Sequence, residues 1–289
     1  MKAALLPDRG VVKVSGPDAR GFLNGLVTTD IEQLQPGAAR FGALLTPQGK
    51  IITDFLVTET ADGALLFDCP KALAKPFADR LTFYRLRAKV TIENLSEQLG
   101  VLAIWGGEPA AKPDFTFADP RDARLGSRII LRPDDALQAA ASLDATLLDA
   151  SAFEAHRIAC GTPRGGLDFA YGDAFPHETN MDRLHGVDFD KGCYVGQEVV
   201  SRMQHRGTAR TRVIRVAVND GAPEPGTAIT AGEKSIGTMG SSAEGRGLAL
   251  LRMDRASDAL DAGEPLLAGG IPITLVSPDD VRPQTKAHA

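Results

Sequence analysis

The chain has 289 residues, 43% of them hydrophobic and 24% charged, with a formal net charge of −5. That length implies two or three domains, the composition is that of a globular protein, and the negative balance argues against broad nucleic-acid binding. No apolar run approaches the roughly 18 to 20 residues that cross a bilayer, so no membrane partner is expected.

The first residues, Met1 to Asp8, are too short and too soon acidic for a secretory signal and lack the Arg- and Ser-rich pattern of an organelle leader. A cytoplasmic protein is expected. Residues 10–15 alternate like a strand. Gly16-Pro17-Asp18 then starts a helix with Ala19, Phe22, Leu23 and Leu26 on its buried face, closed by the polar loop Thr28-Thr29-Asp30. Phe41 to Leu45 is a strand, Thr46 to Lys50 a turn, and Ile51 to Thr58 a further strand carrying Asp54. An acid in so apolar a strand either faces outward or lies at the rim of a pocket.

Ala64 to Asp68 reads as a strand, and Pro70 to about Arg87 as a helix with Leu73, Phe77, Leu81 and Tyr84 on one stripe and Pro76 marking a kink or the true start. Lys89–Glu93, Val101–Trp105 and Ser127–Leu131 are strands, Gly106 to Pro120 a loop, and Asp134 to Leu143 an alanine-rich helix. This β-α-β-β-β-α order suggests a split β-α-β unit inserted in a larger α/β module. Ser151-Ala152-Phe153-Glu154 has the form of a capping box for a helix that ends at Gly161. Residues 162–190 are polar and loop-rich. From Thr208 onward, six short apolar runs separated by Gly and Pro turns read as a small antiparallel barrel, and the tail from Asp279 as frayed.

The three cysteines, Cys69, Cys160 and Cys193, are too few and too scattered for a disulfide framework, and no Cys-x-x-Cys or His-x-x-x-His spacing offers a metal site. Cys69 and Cys160 read as packing. Cys193 is different, because Lys191-Gly192-Cys193-Tyr194-Val195-Gly196-Gln197-Glu198 sets a thiol beside a cation and between glycines. A nearby cation favours the thiolate, and glycines let a ligand approach closely. Cys193 is then a nucleophile, a transient metal or sulfur ligand, or a redox sensor. Directly after it, Arg202, His205, Arg206, Arg210, Arg212 and Arg215 form a basic stretch, either a solvated strand–turn–strand or a contact for an anionic ligand tail.

The octapeptide resembles the signature of the YgfZ proteins, relatives of mitochondrial iron–sulfur assembly factors. Phe22 to Asp30 is similar to that family's first-helix motif, Pro47-Gln48-Gly49-Lys50 to its following turn, and Pro176 to Asp182 to the loop before the signature. The resemblance runs from about residue 8 to 275. Its wider superfamily includes the T-protein of the glycine cleavage system, a tetrahydrofolate-dependent aminomethyltransferase.

What the resemblance implies is an α+β, GcvT-like three-part ring around a folate-sized hole. A folate-binding α/β module would take residues 1–47 and 146–206, an inserted ferredoxin-like module 48–145, and a small antiparallel β-barrel 207–289. It further implies binding of tetrahydrofolate or another reduced folate and no stably bound metal. The function implied is an accessory role in iron–sulfur cluster assembly or repair that indirectly supports tRNA modification. Partners would be iron–sulfur enzymes or assembly proteins, with no direct nucleic acid. The alternatives are a folate-dependent one-carbon transferase and a folate-stabilised scaffold.

On that resemblance Cys193 is the key thiol with Lys191 beside it, and Glu178 would accept from the pterin edge. Phe153 would stack on the pterin, Arg202 would pair with the glutamate tail, and Tyr194 would contact folate or the loop. Gly192, Gly196, Gln197 and Glu198 would shape the loop. T-proteins carry paired aspartates where this chain has Thr53-Asp54. Asp54 is thereby implied as a hydrogen-bonding group without the partner a general base would have.

Overall fold

The structure, a computed structural model, describes residues 1–108, 113–207, 209–219 and 221–281. In chain order it forms β1 (Lys2–Leu6), β2 (Arg9–Ser15), α1 (Ala19–Asn24), β3 (Ala39–Leu45), β4 (Ile51–Glu59), β5 (Leu65–Pro70), α2 (Lys71–Arg85) and β6 (Thr91–Asn94). There follow β7 (Gly100–Trp105), β8 (Thr116–Ala118), β9 (Ser127–Leu131), α3 (Ala136–Ser142), β10 (Thr146–Leu147) and α4 (Ala150–Cys160). A long irregular stretch leads to α5 (Gln197–Arg206), and then come β11 (Thr211–Val218), β12 (Ala228–Ala231), β13 (Lys234–Ala243), β14 (Arg246–Arg252), α6 (Met253–Asp261), β15 (Leu266–Ala268) and β16 (Ile271–Leu275).

Two five-stranded sheets, ordered β3-β4-β5-β2-β6 and β10-β1-β7-β9-β8, share a core of Val11, Leu56 and Leu66 against Val101 and Ile130. The first sheet's other face is covered by α1 and α2 through a cluster in which Phe55, Phe67 and Phe77 pack with ring centroids 4.8–5.6 Å apart. The two-residue strand period then sorts the charges. Phe55 and Val57 face the helices, so Asp54 lies with Leu56 on the face between the sheets. By the same alternation Arg9 lies with Val11, Asp68 with Leu66 and Arg128 with Ile130. The C-terminal strands close into a barrel ordered β11-β14-β13-β12-β15-β16, and each of the six apolar runs supplies one strand.

The differences from the sequence reading have physical causes. The N-terminal residues, to which the sequence reading gave no element, form β1, hydrogen-bonded to β7 and β10. Strand β8 interrupts the expected loop 106–120, kept by its pairing with β9. Pro76 lies inside α2, which starts five residues earlier at Lys71. The cap of α4 is Asp149, whose carboxylate accepts from Ser151 N, rather than Ser151. Glu154, the expected box partner, instead pairs with Arg157 and Arg164. The basic stretch begins as a helix, α5, not as a strand. Segment 48–145 forms no sheet of its own: β4–β6 join β2 and β3, whereas β7–β9 join β1. The frayed tail expected from Asp279 lies almost wholly outside the described residues, which end at Val281.

Candidate functional site

The signature segment is a loop, residues 191–196, running into α5. Lys191 is buried, and its ammonium donates to the carbonyls of Asn24 (2.8 Å), Val27 (2.7 Å) and Thr29 (2.8 Å). These carbonyls lie at and just beyond the C-terminus of α1, where helical acceptors are left over. Burial pulls the Lys191 ammonium down to about 8, against the opposing pull of Asp30 and Asp188. Thr28, in the expected polar loop, is fully buried: its hydroxyl donates to Gly186 O (2.6 Å) and accepts from Ala43 N (2.9 Å). The first-helix motif and the signature are thus sewn together. The role expected for Lys191 is corrected accordingly, since its charge is engaged by backbone oxygens instead of turning to the Cys193 thiol.

At the other end of the loop, Gly196 has φ 83°, and a Cβ there would lie 2.6 Å from Thr46 O. Only glycine lets the signature pack on the Thr46–Lys50 turn. Gly192 differs, being exposed with open space where a Cβ would be. Tyr194 points inward, 7% exposed, with the Lys191 ammonium 5.3 Å from its ring centroid and its hydroxyl without a partner among the described residues. Cys193 stands between these anchors and is the exposed cysteine of the three. Cys69 is fully buried, its thiol pushed up to about 12 by burial, and burial also raises Cys160. Among the described residues no three His, Cys, Asp or Glu side chains are grouped to hold a metal ion.

Glu198 and Arg202 pair with each other across one turn of α5 at 2.5 Å, both exposed. Glu198, expected to fix the loop, thus bonds to a side chain of its own helix, and Arg202 meets this carboxylate. Gln197 opens the helix, half-buried. His177, three residues before Asn180 in the preceding loop, holds α5 through Nε2 to Gln204 Oε1 at 3.0 Å, and burial lowers its basicity.

The second region is the seam between the sheets. Asp68 receives Arg9 at 2.5 Å and also Arg128, which reaches Asp119 at 3.2 Å. Asp119 in turn is held by Arg121 at 2.6 Å. Burial opposes ionisation of Asp119, but Arg121 and Arg128 outweigh it and hold the carboxylate at about 2. Arg157 continues the seam to Glu154 and, at 2.7 Å, to Asp168, which accepts from the barrel's Ser241 N at 2.7 Å. Sequence reasoning missed this network apart from Asp54. The available signal was a charge at the core-facing position of an apolar strand, as in Leu65-Leu66-Phe67-Asp68 and Ser127-Arg128-Ile129-Ile130.

Asp54 and Phe153 both line this seam, with Arg9, Arg121 and Arg128. Asp54 is a buried rim acid whose carboxylate accepts from the Tyr171 hydroxyl, and Phe153 packs edge-on against Trp105 at 5.3 Å. The seam's free volume is 50 Å³, far below the roughly 300 Å³ of even a small ligand pocket. Arg9, Arg121, Arg128 and Arg157, all engaged in ion pairs, line this narrow space. Glu178 lies elsewhere, in a 590 Å³ cleft between the 166–178 loop and the barrel, walled by Phe169, Met239 and Leu250. Its carboxyl is raised by burial and accepts from Phe175 N at 2.8 Å. That cleft has the size of a small-ligand pocket, and its lining carries Asp168 and Asp173 beside Glu178, of which a carboxylate could accept from a pterin edge. Tyr194 and Arg202 line neither cleft.

Comparison with known proteins follows the same architecture. Residues 8–112 match the GCVT N-terminal domain, and residues 210–283 match the CAF17 C-terminal beta-barrel domain. The mitochondrial iron-sulfur cluster assembly factor IBA57 homolog of Mycosarcoma maydis is 34% identical over 78% of this chain, which spans 59% of that protein. Mitochondrial IBA57 of Mus musculus is 31% identical over 86% of this chain and 77% of its own length. The crystal structure of glycine cleavage system aminomethyltransferase T from Bartonella henselae superposes with a TM-score of 0.72 at 16% identity, covering 96% of this chain and 85% of that one. The fold is therefore GcvT-like with a C-terminal antiparallel barrel. These relatives are mitochondrial by name, which overturns the cytoplasmic placement. Compartment is carried by a separable address segment, and the composition of a globular body does not encode it.

Proposed function

The chain belongs to the IBA57 family of iron–sulfur cluster assembly factors, and on that premise we propose that it is an accessory protein in which Cys193 meets a cluster or sulfur species held by a partner. The observation that carries this reading is the exposed thiol on a loop pinned at both ends, by Lys191 on the α1 carbonyls and by Gly196 on the Thr46–Lys50 turn. A pinned loop fixes where the sulfur sits, while its exposure leaves the sulfur's remaining valence to the partner. With no second ligand grouped beside it among the described residues, the thiol acts across an interface rather than in a site of its own.

A reduced folate is the second part of the proposal, with Glu178 and the 590 Å³ cleft as its site. Phe169 and Met239 would wall the pterin, and Asp54 and Phe153 are left out because they serve the seam. Folate bound there would stabilise the joint between loop and barrel.

The test is complementation of a strain lacking its own homologue, with a cluster-dependent tRNA methylthiolation as readout. The wild-type chain rescues, and a folded Cys193→Ala does not; equal rescue by both would sink the thiol's role. For the folate part, 5-formyltetrahydrofolate is titrated by calorimetry. Saturable binding that Glu178→Gln weakens supports the cleft, and binding indifferent to Glu178 removes it.

A further inference from the structure

The C-terminal end of α2 carries the two most exposed large apolar side chains among the described residues, Phe83 at 75% and Leu86 at 88%. The helix buries Ala74, Phe77, Ala78 and Leu81 against the first sheet, and at 3.6 residues per turn Phe83 points directly away from that face. Tyr84 holds the Phe83 ring edge-on, with centroids 5.7 Å apart. Leu86 ends the helix at φ 46° and ψ −105°, a backbone region that L residues avoid and that costs on the order of 1–3 kcal/mol when occupied. A strained leucine displayed to solvent gives the isolated fold nothing.

The charges around these two side chains are equally one-sided. Arg80, Arg85, Arg87 and Lys89 are all exposed, and none makes an ion pair among the described residues. The neighbouring acids are already engaged: Asp79 pairs with Lys75 at 2.6 Å, and Asp18 accepts from Lys89 N at 2.7 Å. This is a basic patch on a chain whose net charge is −5.

We propose that this patch is the docking surface for an acidic protein partner whose apolar pocket takes Phe83 and Leu86. Aromatic anchors ringed by arginine are the composition of interface hot spots. A lipid surface is less well matched, because the other outward residues of α2, Ala72, Lys75, Pro76 and Asp79, include an acid and no apolar stripe.

The position of the patch ties it to the signature loop. Asp18, just before α1, binds Lys89 N, and Asn24 at the other end of α1 binds the Lys191 ammonium. That helix is six residues long, about 9 Å at a rise of roughly 1.5 Å per residue. An interface of ordinary size, about 800 Å² on each partner, spans both. A protein seated on Phe83 and Leu86 therefore borders the helix whose far end holds the signature loop. The link to Cys193 rests on the assembly reading, whereas the patch stands on its own exposure, strain and charge.

The experiment places a photo-crosslinking p-benzoylphenylalanine at position 83 of the full chain in cells, with Leu137, 69% exposed on the other sheet's helix, as the control position. The expected result is one discrete adduct with an acidic protein at 83, absent at 137 and lost in Arg80→Glu/Arg85→Glu/Arg87→Glu. In the complementation assay, a Phe83→Ser/Leu86→Ser chain with unchanged melting should lose at least about tenfold in rescue. An adduct with lipid or with a second copy overturns the proposal, as does none above the control or full rescue by both variants. Because the crosslink does not depend on rescue, failure of the assembly reading and failure of the docking surface are read separately.

Discussion

The seam between the sheets and the Cys193 loop use the same kind of residue to opposite ends. In the seam, buried arginines meet carboxylates: Arg9, Arg121, Arg128 and Arg157 face Asp68, Asp119, Glu154 and Asp168, and 50 Å³ is left over. In the loop, one buried cation meets only carbonyls, and the Cys193 thiol near it is left in the open. A matched network closes a site and makes a keystone of it. A cation held by neutral oxygens fixes a loop without covering what the loop presents.

That contrast can be broken most sharply at Asp68. Asp68→Ala leaves Arg9 and Arg128 buried without their shared carboxylate, and denaturant unfolding should show a loss of about 3–5 kcal/mol. A loss under about 1 kcal/mol would mean that water enters the seam and that it is no keystone. Gly196→Ala places a Cβ against Thr46 O in a left-handed backbone, with an expected cost of about 1–3 kcal/mol and failure of rescue. An unchanged melting temperature would show that the Thr46–Lys50 turn does not hold the signature.

Lys191→Met leaves three buried carbonyls without a donor and should cost about 1–3 kcal/mol at neutral pH. The pH profile sharpens this. With the native ammonium near 8 and the unfolded one at 10.5, the unfolded chain binds more protons between those values, so wild-type stability should rise with pH across that window. The Lys191→Met chain lacks that rise, and parallel pH profiles of the two chains would contradict the buried ammonium. Cys193→Ser, at an exposed position, should change stability by less than about 0.5 kcal/mol while abolishing rescue. A large loss of stability would turn Cys193 into a packing residue like Cys69.

Much of this was readable from local pattern. The six barrel strands follow the apolar runs, since Gly and Pro turns separate one run from the next. The glycine cap of α4 at Gly161 was legible because its φ of 80° suits glycine. Helix α6 was not, because it buries only Ala256 and Ala259, side chains too small to mark a stripe. Helix α5 was obscured by its density of charge, with Val200 its sole buried residue. Of the site, Cys193 and Gly196 stood out by composition, whereas the destination of the Lys191 ammonium did not, being set by carbonyls some 160 residues away in sequence.

The sequence by itself determined the strand and helix periodicities, the six barrel runs and the signature loop, because these depend on neighbours within a few residues, and its motifs placed the chain among GcvT-like relatives of mitochondrial iron–sulfur assembly factors. Only the tertiary structure decided which charges face one another between the sheets, that Glu178 and Asp54 line different clefts, and that Cys193 faces out while Tyr194 faces in. The reason is range: pattern reports which face of an element is apolar, but a charge at such a face acquires its meaning only from the element packed against it.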